Sequence, residues 1–303
     1  MNFDVHILGC GSATPTTRHY LSSQVINIRE KLFMIDCGEG TQFQLRKSRL
    51  KFSRLNHIFI SHLHGDHFFG LLGLLSSFDL LGRTFDLHIY SPVGLKEVLS
   101  PFLKAFCRLN SFQLLFHEFE VQNPSVIYED RSVKVTTIPL NHRVPCCGFL
   151  FNEKPRPAHI IREAIDYHKV PVYEINRIKN GADFVKDDGT IIPHEKLTRP
   201  STPPRSYAYC SDTAFHLPVV EQIKGIDLLY HEATFAEDLR SRATETYHST
   251  AKDAAQIAKL AEVKKLLLGH YSARYSDESI LLEEAKEEFD AVELSYEQQC
   301  IQL

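Results

Sequence analysis

Short apolar runs with strand character recur along this 303-residue chain, and four of them end within a few positions of a histidine or aspartate. Ile58 to Ile60 leads to His62, His64, Asp66 and His67; Thr137 to Leu140 leads to His142; Ala208 to Cys210 leads to Asp212; Leu266 to Leu268 leads to His270. Further runs of the same kind lie at Val5–Leu8, Leu32–Ile35, His88–Tyr90 and Asp227–Tyr230, with helix-like segments between them. That alternation defines an α/β chain. In open α/β architectures, residues just past the carboxyl ends of strands gather in one crevice, so groups more than 200 positions apart can converge.

Within His62-Leu63-His64-Gly65-Asp66-His67, His62 and His64 project together from an extended segment, and Gly65 permits the bend that brings Asp66 and His67 round. One histidine on a surface loop is usually just solvated. Four clustered imidazole and carboxylate groups, with three more at other strand ends, instead match the donors that bind zinc at about 2.0–2.2 Å.

Composition narrows the remaining choices. Hydrophobic residues make up 43% and charged residues 24% of the chain, enough to bury a sizeable core. Net charge is −4 and no run of five like charges occurs, so a nucleic-acid partner would have to be gripped by a local patch. Seven scattered cysteines without CxxC spacing read as free thiols in a reducing cytoplasm. The longest apolar stretch, Phe68 to Leu75, is broken by Gly70 and Gly73; it is too short for a bilayer and reads as a core helix. No membrane association is expected.

Residues 151–205 have a different texture. They hold seven of the fourteen prolines, with ten lysines and arginines against eight acids, and read as an insertion into a single domain spanning 1–303. Such a segment is either a surface excursion or a grip on a large polyanion. Farther on, Thr250 has the N-cap character and Asp253 the capping-box position of a helix with an Ala254, Ile257, Ala258, Ala261 face. His248 stands just ahead, where free N–H groups and the helix dipole would favour a phosphate.

The ligand set His62, His64, Asp66, His67, His142, Asp212 and His270 resembles that of the metallo-β-lactamase superfamily. The stretches LGCGSATPTTR, DCGEGTQ, SHLHGDHFFGLLGLL, YCSDT, HEATF, HST and HYSARY, in that order along nearly the whole chain, are similar to ribonuclease Z, the tRNA 3′ endonuclease family. The resemblance implies a four-layer αβ/βα sandwich with a protruding arm and two zinc ions per subunit, with Mn²⁺ or Fe²⁺ as alternatives. By the family pattern His62, His64 and His142 hold one ion, Asp66, His67 and His270 the other, and Asp212 bridges them. It further implies Glu232 and His248 as the proton-donating pair, Asp66 as proton acceptor, Arg274 as a phosphate contact and Asp36 as a buried residue fixing the site loop. Residues 151–205 fall where the family carries its tRNA-binding arm, with Arg177 and Lys179 as contacts. The implied partners are precursor tRNA and a second copy of the chain.

Two stretches depart from that pattern. The arm lacks the usual Gly-Pro tip, and "RHYLSS" replaces the usual Arg-Asn start, leaving Arg18 as a substrate contact in that loop. Two other functions use the same residues: hydrolysis of a small phosphodiester, sulfate ester or lactone, and a catalytically silent RNA-binding subunit. No metal ligand is missing from the set, which speaks against the silent reading.

Overall fold

The computed structural model describes residues 2–106 and 111–303. Two seven-stranded sheets form the larger compact unit, residues up to Asn152 together with Arg205–Leu303. Its strands are β1 (Phe3–Gly9), β2 (Ser23–Ile28), β3 (Lys31–Ile35), β4 (Leu55–Phe59), β5 (Leu87–Pro92), β6 (Leu114–Phe119), β7 (Val126–Glu129), β8 (Val133–Pro139) and β9 (Cys147–Glu153). The smaller unit, Glu153–Pro204, carries β10 (His159–Ile160), β11 (Phe184–Val185), β12 (Ile191–Ile192) and β13 (Thr198–Arg199). Then follow β14 (Ser206–Cys210), β15 (Leu228–Glu232), β16 (Leu266–Gly269), β17 (Val292–Leu294) and β18 (Cys300–Gln302). One sheet runs β18-β1-β2-β3-β4-β5-β6 and the other β17-β16-β15-β14-β9-β8-β7.

Each sheet is antiparallel on one side and parallel on the other: β3 through β6, and β14 through β17, run parallel. The inner strands of those halves, β3 to β5 and β14 to β16, are mostly buried and therefore read as apolar runs. Between the sheets lies an aromatic core in which Phe33 meets Phe151 at 5.9 Å, Phe59 meets Phe149 at 5.6 Å, and Tyr209 stacks on Tyr230 at 5.0 Å. On the outer face of the first sheet, Leu71, Leu74, Leu75 and Phe78 of the helix Gly70–Leu80 pack with Met34, Ile58 and Ile89. The stretch expected to be a core helix, Phe68–Leu75, is helical from Gly70 and runs five residues further to Leu80; Phe68 ends the short helix Gly65–Phe68 and Phe69 is exposed. Helix Ala251–Leu260 covers β15 and β16 through Ala254, Ile257 and Ala258. Helix, sheet, sheet, helix is the four-layer order expected.

Strands β2, β6, β7, β9, β17 and β18 escaped the sequence reading. β2 (SQVINI) places Ser23 and Gln24 in fully buried positions, so its polar residues hide its strand character. β6 alternates apolar residues with His117 and Glu118 at a half-covered position beside β5.

The smaller unit has an apolar cluster of its own, Ile165, Val170, Ile178, Phe184, Ile192 and Leu197, tied by the short antiparallel pairs β10–β13 and β11–β12. Phe151 and Asn152 stay in β9, inside the sandwich, and Phe151 is fully buried there. No helix among the described residues is long and apolar enough to cross a membrane. Six described cysteines are free, Cys300 exposed and the others buried; Cys107 lies outside the described residues.

Phe151 sits edge-on to both Phe33 and Phe59 at the centre of the inter-sheet core. Phe151→Ala should lower unfolding free energy by roughly 3–5 kcal/mol, read from the urea midpoint.

Candidate metal centre and cleft

Parallel register brings the predicted residues to one level. Cys210 pairs with His231, and Glu232 with Gly269, so Asp212, Glu232 and His270 leave three adjacent strands side by side. From the facing sheet, Asp36 follows β3 and His62 follows β4; Asp36 N donates to Phe59 O at 2.8 Å. Cys147 N donates to Ser61 O at 3.1 Å, linking the second sheet to this turn. Three non-glycine residues here, Asp36 (φ 54°), Asp212 (φ 59°) and His270 (φ 60°), adopt the left-handed conformation. Each costs about 1–3 kcal/mol of backbone strain. The conformation turns the chain back sharply at the strand end, so that Asp212 and His270 face the crevice and Asp36 lies buried behind His67.

All seven predicted ligands come together in two groups of donor atoms that share Asp212. His64 Nδ1 lies 3.0 Å from His62 Nε2 and 3.2 Å from His142 Nε2, and Asp212 Oδ2 lies 3.7 and 3.8 Å from His62 Nε2 and His142 Nε2. On the other side, Asp212 Oδ1 lies 3.1 Å from both His67 Nε2 and His270 Nε2; Asp66 Oδ2 is 3.5 and 3.8 Å from the same two nitrogens.

The hydrogen bonds behind the rings dictate which nitrogens carry lone pairs. His67 Nδ1 donates to Asp36 Oδ2 at 2.7 Å, His142 Nδ1 to the Tyr247 carbonyl at 3.0 Å, His62 Nδ1 to Ser61 Oγ at 3.0 Å, and His270 Nδ1 to Thr234 Oγ1 at 3.0 Å. Every one of those rings then turns an unprotonated Nε2 inward. His67 Nε2 and His270 Nε2 are buried and make no aligned hydrogen bond. Burial holds His62, His64 and His142 below the usual imidazole pKa, in the neutral form a cation needs. Burial also opposes a charge on His67, but Asp212, Asp36 and Asp66 outweigh it and raise its pKa; a divalent cation would neutralise that same negative field. Inward lone pairs, buried nitrogens without partners and converging carboxylates fit a pair of divalent ions.

Asp36 is fully buried and belongs to neither donor group. Its carboxylate accepts from His67 Nδ1, Ser61 N (2.8 Å), Ser61 Oγ (2.9 Å) and Tyr209 OH (2.8 Å), so it fixes the turn and the His67 ring.

Beside the donor groups, His248 Nδ1 donates to Glu232 Oε1 at 2.9 Å. Glu232 is fully buried and also accepts from Thr213 N (2.6 Å), Thr234 Oγ1 (2.6 Å) and Ser249 N (3.1 Å). Burial opposes its charge, but His248, by charge and hydrogen bond, and His270 hold its pKa below the usual range. Burial would lower His248 as well, yet Glu232, Asp212 and Asp66 raise it to about 9. The imidazolium so held keeps Nε2–H available to the cleft.

One expectation is corrected. The amino terminus of helix Ala251–Leu260 is not free to take a phosphate: Thr250 and Asp253 close a capping box, and Ala251 N donates to Phe235 O at 3.0 Å. His248 does meet the carboxylate partner that the resemblance implied, Glu232.

The cleft in front of these groups has a volume of about 840 Å³, and His64, Asp66, His142, Asp212, His248 and His270 form its polar wall. Arg274 lines it as expected, its guanidinium 5.9 Å from the Phe235 ring. Arg18 is not in the lining: it binds Glu278 Oε1 at 2.9 Å and the carbonyls of Tyr275 and Ser276, so it pins a loop. Arg177 pairs with Glu174 at 3.0 Å on the smaller unit, where Lys179 is half-buried. Sequence reading missed Arg143 and Arg242 in the lining, along with Phe69 and Phe235. Arg143 had a signal, since it directly follows His142. It also missed Thr234, whose hydroxyl joins Glu232 to His270.

Two facing mixed sheets with this crevice at their carboxyl edges define a metallo-β-lactamase-fold hydrolase with a divalent metal centre. The chain is 67% identical to a ribonuclease Z of Bacteroides thetaiotaomicron, over 99% of this chain and 95% of the relative, and 65% identical to one of Bacteroides fragilis, over 99% of each. Among solved structures it resembles human tRNase Z, short form, with a TM-score of 0.72, 30% identity and 98% of each chain covered. The metallo-β-lactamase fold protein YhfI of Bacillus subtilis, at 18% identity and a TM-score of 0.69, shares the fold over the full length of both chains. Residues 3–156 match the family model described as Anti-Pycsar protein Apyc1. That span ends before Asp212, Glu232, His248 and His270, whereas the curated relatives match end to end. The chain belongs to the ribonuclease Z family, and it is a tRNA 3′-processing endoribonuclease.

Asp36→Asn replaces the charged acceptor of the 2.7 Å hydrogen bond from His67 Nδ1 with a neutral amide. It should weaken metal retention by roughly 10–100-fold in a chelator competition with the fold intact.

Proposed function

We propose that the chain holds two zinc ions and removes the 3′ trailer from precursor tRNA, leaving a 3′ hydroxyl on the tRNA and a 5′ phosphate on the trailer. The observation that carries this reading is the single carboxylate of Asp212, whose two oxygens face separate imidazole groups with the Glu232–His248 pair alongside. Six neutral-nitrogen and carboxylate ligands besides Asp212 suit zinc; Mn²⁺ and Fe²⁺ compete for such donors. When bound, divalent ions supply Lewis-acid polarisation of a phosphodiester and lower the pKa of a coordinated water.

The protein's own groups do the remaining work. Asp66, whose Oδ2 is fixed by Ala13 N at 2.8 Å, takes the proton of the attacking water. His248 Nε2 delivers its proton to the departing 3′ oxygen, while Glu232 keeps the ring oriented and charged. Arg274, Arg143 and Arg242 bring guanidinium groups to the cleft wall, where forked donors suit phosphate oxygens.

The assignment extends to the assembly. The segment 151–205 acts as the tRNA-binding arm, using Arg177 and Lys179. Two copies of the chain pair through an apolar groove of Phe68, Phe69, Leu72, Val98, Leu99 and Phe102; Phe69 and Phe102 are 63% and 47% exposed. The compartment is the cytoplasm, where precursor tRNA resides.

Cleavage of a 3′-extended tRNA with both product ends mapped tests the reaction, and cleavage of only a small chromogenic diester would overturn it. His248→Ala should slow cleavage by roughly 10²- to 10⁴-fold with metal content unchanged; loss of metal would make His248 a ligand instead. Asp212→Ala should abolish cleavage and lower metal content in a protein that still folds.

A further inference from the structure

Away from the cleft, the loop after β1 ends in a second cluster of ligand-type atoms. Cys10 Sγ, His19 Nδ1 and the Glu297 carboxylate converge: Sγ to Nδ1 is 3.4 Å, Nδ1 to Oε2 is 3.1 Å and Sγ to Oε1 is 3.6 Å. Cys10 is fully buried, and His19 and Glu297 expose only 14% and 13% of their side chains. Donor atoms at the corners of a tetrahedron around zinc, at the usual zinc–nitrogen, –oxygen and –sulfur distances, lie about 3.3–3.8 Å apart. The observed spacings are close to that range.

We propose that Cys10, His19 and Glu297 form a structural site for a thiophilic divalent cation such as zinc, separate from the centre in the cleft.

Two further observations support it. His19 Nε2 lies 3.2 Å from Glu278 Oε1, so the ring donates its far N–H to a carboxylate, the arrangement that orients a metal-bound imidazole. Arg18, 2.9 Å from the same Glu278 oxygen, balances that carboxylate. A thiolate and one carboxylate then neutralise the cation itself. The alternative is an imidazolium shared between Glu297 and Glu278. It leaves one Nδ1–H facing Oε1 at 3.3 Å, Oε2 at 3.1 Å and Sγ at 3.4 Å, all longer than the 2.7–2.9 Å usual for a charge-assisted bond. In it the Cys10 thiol donates only to Ser295 O and Glu297 Oε1, each at 3.6 Å.

The site has a use. Cys10 and His19 are the two ends of the loop whose Ser12, Ala13, Thr14 and Pro15 line the cleft and whose Ala13 N holds Asp66. Glu297 belongs to the segment before β18, and its Oε1 also accepts from Tyr20 N at 2.8 Å. A cation here would close the base of the cleft loop onto the carboxyl-terminal segment.

The proposal does not rest on the reaction proposed above, and sulfur separates the two centres, because neither donor group in the cleft contains a cysteine. The full-length protein, produced in zinc-depleted, cobalt-supplemented medium, should show a near-ultraviolet sulfur-to-cobalt charge-transfer band. Cys10→Ser should abolish that band. In protein grown with zinc, Cys10→Ser and His19→Asn should each lose a single equivalent of metal per chain, while Asp212→Ala should keep the cobalt–sulfur band. A wild-type spectrum without the band overturns the site whether or not the variants fold. A band that survives Cys10→Ser, or metal content unchanged in both variants, overturns it equally.

Discussion

Asp212 is a carboxylate with almost no exposure, placed among the inward nitrogens of His62, His67, His142 and His270. A buried negative charge is tolerated only where positive charge or donors meet it. Four imidazoles from three separate stretches of chain have to be delivered to that one group, each with its proton on the far nitrogen. Much of the surrounding architecture follows from this requirement: left-handed residues that turn Asp212 and His270 back into the crevice, and a ring of acceptors (Asp36, Ser61, Thr234 and the Tyr247 carbonyl) behind the imidazoles. The parallel halves of both sheets put their carboxyl ends where these groups can meet.

Acid–base function is separated from metal-type ligation by the same means. His248 lies against His142 and His270, with ring centroids at 5.3 and 5.5 Å, yet its Nδ1 is committed to a buried carboxylate instead of a neutral acceptor. Glu232, together with Asp212 and Asp66, raises its pKa to about 9, while burial lowers that of His142. In the proposed reaction similar rings a few ångströms apart divide the work of proton donor and lone-pair donor.

The expected ligands were legible in the sequence because each follows an apolar strand run, that of a parallel strand for all but His142, which follows the antiparallel β8, and such runs are the plainest signal a chain offers. The Glu232–His248 pairing came from family motifs; nothing in spacing alone joins residues 16 positions apart across a strand and a helix. The phosphate role of the helix after His248 was misjudged since Thr250 and Asp253, the very residues that mark its start, also satisfy its N–H groups. Arg18 was misread for a comparable reason: its partners Glu278 and the carbonyls of Tyr275 and Ser276 are about 260 positions away. Edge strands such as β6 and polar strands such as β2 were invisible, being decided by neighbours and not by their own pattern. Tertiary hydrogen bonding is what the sequence withholds.

The central claim is that the Asp212 carboxylate spans two cations. Anomalous diffraction at the zinc absorption edge, on crystals of the zinc-loaded protein, reads this directly. The account predicts two peaks about 3.5–4 Å apart, one on each oxygen of Asp212. A single peak at this centre, or a pair that does not touch Asp212, would contradict it.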